Sequence, residues 1–268
     1  MHTDADVALF LFAHQDDEYA AAPWLGRELA SGAAVWCAYF TDGAARTPAH
    51  ERDAETRTVL NSLGIRDENI GFLGGGDRVA DGALPHRLEY ADELLMQWIA
   101  RRRDAPTRVY TPDWEGGHPD HDAVHALGAH FSMRLGIPHW AFSIYNGYHC
   151  PPPFFSCLRL LPGGEKQRLT YSFAQGWRWA MLCWHYRSQR RTWLGLFPGA
   201  FVARVLLRRE SIRRCDPRSL ADRPHKGTLL YERLFAMPYQ RFDELTREFT
   251  SKDMSQRPLH QAAPRPHG

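Results

Sequence analysis

Seven consecutive apolar residues, Val7–Ala13 (VALFLFA), lead within three positions to three acids, Asp16-Asp17-Glu18. An apolar run with no polar alternation fits a strand covered on both faces, as in a parallel sheet layered between helices. Acids directly after it suit the first turn of a helix, where the dipole favours negative charge. A strand buried on both sides needs neighbours and two helical layers, so this run constrains everything that follows it. The rest of the first half supplies them. Ala34–Thr41 (AVWCAYFT) predicts a second strand, and Glu51–Leu63 a helix stopped by Gly64. Asn69–Leu73 is a short strand, Leu84–Arg103 a long helix and Arg108–Thr111 a strand. A helix from about Pro119 to Leu135, with proline at its first position, precedes a strand over Trp140–Tyr145. This alternation predicts an α/β, Rossmann-like fold: a mostly parallel sheet flanked by helices, in a single domain with an irregular C-terminal part.

The 268 residues suit one such domain. We place it over 1–250, with a motif-bearing core at about 5–150, a substrate-side part over 151–250 and a flexible tail over 251–268. Beyond Cys150, three prolines (151–153) break the chain. Leu160–Tyr171 predicts a hairpin around Pro162-Gly163-Gly164, Ala174–Gln189 a tryptophan-rich helix, and Leu194–Arg209 an apolar segment with a basic end.

Charge is unevenly spread. Residues 1–158 hold 12 basic and 22 acidic side chains, a balance of −10, whereas residues 159–233 hold 16 and 5, a balance of +11. A basic second half points to an anionic partner: a phosphate, a nucleotide sugar or an acidic membrane surface. A solvated arginine-rich face is the plainer alternative. Nothing in the sequence points to nucleic acid. Five cysteines without CxxC spacing argue against a disulfide framework or a cysteine zinc site, and fit a reducing cytoplasm. No stretch reaches the roughly 20 apolar residues of a spanning helix.

Two clusters carry chemistry. Ala13-His14-Gln15-Asp16-Asp17-Glu18 sits where the first strand gives way to its helix. Gly116-Gly117-His118-Pro119-Asp120-His121 follows the strand ending at Thr111. In open α/β sheets, sites form at the carboxyl ends of strands. Two imidazoles and a carboxylate from these loops would leave a fourth position for water, the pattern of catalytic zinc. Either cluster alone also reads as a helix cap beside an unrelated histidine. Two adjacent acids at a buried strand end are costly without a cation. His121 and His125 are four apart on a helix, but Asp122 stands where a metalloprotease-type pair carries glutamate, so His125 reads as structural.

Taken together, these residues resemble the PIG-L/LmbE-like de-N-acetylases. Ala13–Glu18 is similar to the family's AHPDDE and His118–His121 to its HPDH. Thr41-Asp42-Gly43, Arg52-x-x-Glu55 with Leu63-Gly64, Phe72-Leu73-Gly74 with Asp77, Tyr186-x-Ser188-Gln189, and Glu232 with Phe235 follow in the family's order. Gln15 stands where the family has proline, which implies a local loop change without lost chemistry. The resemblance implies a zinc ion held by His14, Asp17 and His121. It makes Asp16 the general base, His118 the group that stabilises the oxyanion or protonates the leaving amine, and Asp120 the residue that orients His118. Arg52 and Asp77 would contact substrate, an N-acetylated sugar conjugate of N-acetylglucosamine type, phosphate- or lipid-linked. Two rival readings stand beside it. Two histidines and a carboxylate also form the iron site of non-haem oxygenases, and the basic, aromatic second half suits a catalytically weak glycan- or lipid-surface binding protein.

Overall fold

The structure, a computed structural model, describes residues 5–44, 47–76, 78–216, 220 and 222–252. Five strands run parallel: β1 (Val7–Phe12), β2 (Ala34–Tyr39), β3 (Ile70–Phe72), β4 (Arg108–Pro112) and β5 (His139–Phe142). The strands β6 (Tyr145–Asn146) and β7 (Ser156–Cys157) form a small ribbon of their own. Two antiparallel strands, β8 (Lys166–Thr170) and β9 (Arg209–Arg214), extend the main sheet to the order β3-β2-β1-β4-β5-β9-β8. The order reverses between β1 and β4, which is where open α/β sheets leave a crevice for ligands.

Eight α-helices complete the described chain: α1 (Glu18–Ala30), α2 (Ala49–Leu63), α3 (Leu88–Ala100), α4 (Pro119–Leu135), α5 (Phe173–Met181), α6 (Arg190–Phe201), α7 (Leu230–Leu234) and α8 (Tyr239–Lys252). Every residue of β1 is fully buried. Because successive side chains point to opposite faces, Val7, Leu9 and Leu11 meet Leu88, Leu95, Leu127 and Phe242 from α3, α4 and α8. Ala8, Phe10 and Phe12 meet Trp24 and Leu25 of α1 and Leu60 of α2. The uninterrupted apolar run is thereby explained.

A third apolar cluster lies outside this sandwich. Tyr19, Ala22 and Val59, on the outer faces of α1 and α2, pack under Trp179, Tyr186, Trp193 and Leu196. The α5–α6 region is thus a second helical layer over the first two helices. This layer completes the burial of the first part of α1, Glu18–Leu25. Its tightest tie is Arg204, fully buried in a π-helical turn, Val202–Leu207. The guanidinium pairs with Glu210 at 2.8 Å, donates to the carbonyls of Trp179 (3.1 Å), Tyr19 and Ala20 (3.3 Å), and stacks on the Tyr19 ring.

Two expectations are corrected. The segment after Pro162-Gly163-Gly164 does not fold back on residues 157–161; β8 pairs with β9, about forty residues on, so a long-range partner overrides the local turn. The helix α8 continues through Ser251 and Lys252, the first two residues assigned to the tail; the remainder of that tail lies outside the described residues. No helix among the described residues is long and apolar enough to cross a membrane.

Candidate metal centre and active site

Both chemistry-bearing clusters sit at the carboxyl ends of adjacent strands, β1 and β4, at the point where strand order reverses. Asp16 has φ of 110°, a conformation costly for a residue with a side chain and kept where surrounding contacts enforce it. Three groups enforce it here. Arg52 donates to the Gln15 carbonyl and, at 3.0 Å, to the Asp16 carboxylate. Glu18 accepts the Asp16 backbone N–H at 3.0 Å. Gly43, at φ 60°, lets the β2 loop approach; a Cβ there would lie 2.2 Å from Gln15 Oε1.

This turn aims His14 and Asp17 at His121. Asp17 Oδ2 accepts the backbone N–H groups of Ala13 (3.0 Å) and His14 (2.9 Å), which fixes the carboxylate. His14 Nδ1 lies 3.3 Å from His121 Nε2 and 3.7 Å from Asp17 Oδ2, and His121 Nε2 lies 3.1 Å from Asp17 Oδ1. Tetrahedral zinc with bonds of about 2.0–2.1 Å puts its ligand atoms about 3.3 Å apart. The three donors already stand at that spacing. His14 Nε2 is turned away, to Asp120 Oδ2 at 3.0 Å and Asp81 Oδ1 at 3.3 Å. A carboxylate behind a histidine fixes its tautomer and presents the other nitrogen's lone pair to a metal. The chain's own residues therefore fit a divalent cation with mixed nitrogen and oxygen ligands.

His118 is also within ligand range of His14 and His121, but its hydrogen bonding gives it another role. Its Nδ1 accepts the Asp120 backbone N–H at 3.1 Å, so the neutral ring carries its proton on Nε2. Burial, reinforced by His14 and His121, lowers its pKa well below the ordinary range and keeps it neutral. In that tautomer the Nε2–H faces the pocket as a hydrogen-bond donor. Asp120 orients His118 through its backbone, whereas its carboxylate supports His14 and the N–H groups of Gly82 (2.7 Å) and Leu84 (3.1 Å).

Asp16 lines the same pocket. Burial pushes its carboxyl up to about 7, against the pull of Arg52. Asp17, two bonded histidines beside it, is held well below the usual carboxylate range despite burial. Two neighbouring aspartates are thus driven apart, the usual signature of distinct roles.

Of the residues expected to touch substrate, Arg52 lines the pocket while bracing the Asp16 turn. Asp77 lies outside the described residues. Asp81, which sequence reading missed, lines the pocket and faces His14 and His118 (3.9 Å). Its signal was present: the loop after Gly74 offers two aspartates, and spacing alone did not choose between them. Gln15 points out of the pocket, donating to Asp53 at 2.7 Å. Tyr145 and Trp193, also missed, form walls. The late motifs act as struts. Tyr186 donates to Glu18 at 2.9 Å, Ser188 to Glu55 at 2.6 Å, and Phe235 rests edge-on against His118.

Residues 9–132 match the family described as PIG-L: GlcNAc-PI de-N-acetylase. No curated protein matches the chain by sequence. Among solved structures, the zinc-inhibited form of teicoplanin deacetylase Orf2 is similar at TM-score 0.57 and 16% identity, over 78% of this chain and 99% of that one. The A40926 pseudoaglycone deacetylase Dbv21 gives 0.58 at 19% identity, over 77% and 96%. The N,N'-diacetylchitobiose deacetylase from Pyrococcus horikoshii, complexed with its inhibitor MPG, gives 0.56 at 16% identity, over 83% and 88%. At these identities the structural likeness establishes the shared α/β fold. Over residues 9–132, the span that holds both site loops, the chain is similar to the PIG-L family of de-N-acetylases.

Proposed function

We propose that this protein hydrolyses the acetamide of an N-acetylated sugar conjugate, using zinc held by His14, Asp17 and His121. The observation that carries the reading is the convergence of those three donors at 3.1–3.7 Å beside a second carboxylate outside the set, Asp16, which lines the same pocket and is braced by Arg52. Zinc held there would polarise the carbonyl and lower the pKa of water towards about 7. Asp16, braced by Arg52, takes a proton from the attacking water. His118 donates its Nε2–H to the oxygen that becomes negative. Asp16 then returns its proton to the departing nitrogen, which balances the proton count within one pocket. An oxygenase reading of the same ligands leaves Asp16 without a task.

The pocket joins a charged floor to an apolar wall of Ile144, Leu158, Trp193 and Leu196. The similar structures are named as deacetylases of teicoplanin, of the A40926 pseudoaglycone and of N,N'-diacetylchitobiose. For this chain the basic second half favours an N-acetylglucosamine-type conjugate with a phosphate- or lipid-linked aglycone. The test is release of free amine from neutral and phosphate-linked N-acetylglucosamine conjugates at low salt, with and without chelator. Chelator-sensitive release, faster for the anionic conjugates, is expected. No release from any acetylated sugar would refute the activity; equal rates on neutral chitobiose would refute the anionic preference.

A further inference from the structure

Residues 173–209 contain seven arginines and no acidic residue. One, Arg204, is buried; Arg178, Arg187, Arg190, Arg191, Arg208 and Arg209 are exposed. The same segment carries large apolar side chains that the fold leaves uncovered. Phe173 is 55% exposed, Trp184 69% and Leu194 79%, and Trp177, Val202, Leu206 and Leu207 are also exposed. They are not scattered. Ring contacts run without a break from Phe173 to Trp177, Phe201, Phe197 and Trp184, at centroid distances of 5.7–6.1 Å. Leu194, Phe197 and Phe201, spaced i, i+3, i+7, form one face of α6. A contiguous exposed apolar patch of this kind marks an interaction surface.

We propose that this ribbon is a docking surface for an anionic lipid bilayer. Two features select that occupant. The charged side chains of the segment itself are all of one sign, as an acidic leaflet requires and a mixed-charge protein interface does not. Tryptophan and phenylalanine flanked by arginine on short helices lying side by side is the composition of an interfacial element. The adjoining face of α6 carries Thr192, Trp193 and Leu196 into the catalytic pocket. Docking through the ribbon therefore sets the pocket's apolar wall beside the leaflet. The surface stands independently of the reaction assigned to the pocket, because its test reads binding alone.

The experiment is sedimentation of the full chain with phosphatidylglycerol–phosphatidylcholine vesicles and with neutral phosphatidylcholine vesicles, at low and high salt. We expect binding to the anionic vesicles that weakens with salt. Arg190→Gln with Arg191→Gln should weaken it by roughly twenty-five-fold, since each basic group near an acidic leaflet contributes a factor of about five. Trp184→Ser with Leu194→Ser, both surface changes, should abolish it while leaving the circular dichroism spectrum unchanged. Absence of binding, or binding unaffected by both pairs, would overturn the proposal. So would a wild-type dimer that becomes a monomer in Trp184→Ser/Leu194→Ser without vesicle binding, because the ribbon would then cover a second copy of the chain.

Discussion

The two halves of the chain reach one pocket by different means. Residues up to Tyr145 supply the carboxylates, imidazoles and guanidinium of its floor, on loops rooted in parallel strands. Residues from Cys157 onward supply an uncharged wall and, outside the pocket, the struts that hold the floor: Tyr186 on Glu18, Ser188 on Glu55, Arg204 on the first turn of α1. Chemistry sits on the sheet, and rigidity at the site comes from a helical layer added over it. A site held to within fractions of an ångström needs both.

The difference can be broken at either end. The largest effects belong to the floor. Asp17→Ala and His121→Ala should remove bound metal and reduce turnover to the buffer rate, as read by metal analysis beside amine release. Asp16→Asn should keep its metal and lose about 10²–10⁴ in kcat, the usual worth of a general base; full activity in that variant would remove the role. The wall's main strut comes next. Arg204→Met strips buried Glu210 of its charge partner and leaves it the Tyr171 hydroxyl at 3.1 Å, which costs about 3–5 kcal/mol. A lowered denaturant midpoint with unchanged metal content in the folded protein would separate scaffold from floor. Tyr186→Phe should cost about 1 kcal/mol in stability through the lost bond to Glu18, together with a few-fold fall in kcat at unchanged metal content. Gln15→Ala is the smallest: about 1 kcal/mol from its bond to Asp53, with kcat and metal content intact.

The same contrast explains what could be read in advance. Val7–Ala13 and Ala34–Thr41 announce buried strands because local composition and burial agree there. Both loops lie at strand ends, so their placement on neighbouring strands follows from topology. The convergence of His14, Asp17 and His121 was therefore legible. Asp81 was not, because its place rests on a loop contact no spacing announces, the Asp42 side chain accepting the Asp81 N–H at 3.1 Å. The second half hides its logic further. Tyr186, Arg204 and Glu210 act on residues 168, 185 and 6 positions away, and β8 finds its partner only after two helices. No periodicity encodes such contacts; burial of the first layer's outer face selects them.

The most direct measurement is diffraction from zinc-grown crystals on both sides of the zinc absorption edge. We expect one anomalous scatterer per chain within about 2.0–2.2 Å of His14, Asp17 and His121, with the Asp16 carboxylate outside bonding distance. A scatterer bound by Asp16 in place of Asp17, or no scatterer between the β1 and β4 loops, would contradict the division of labour between the two aspartates.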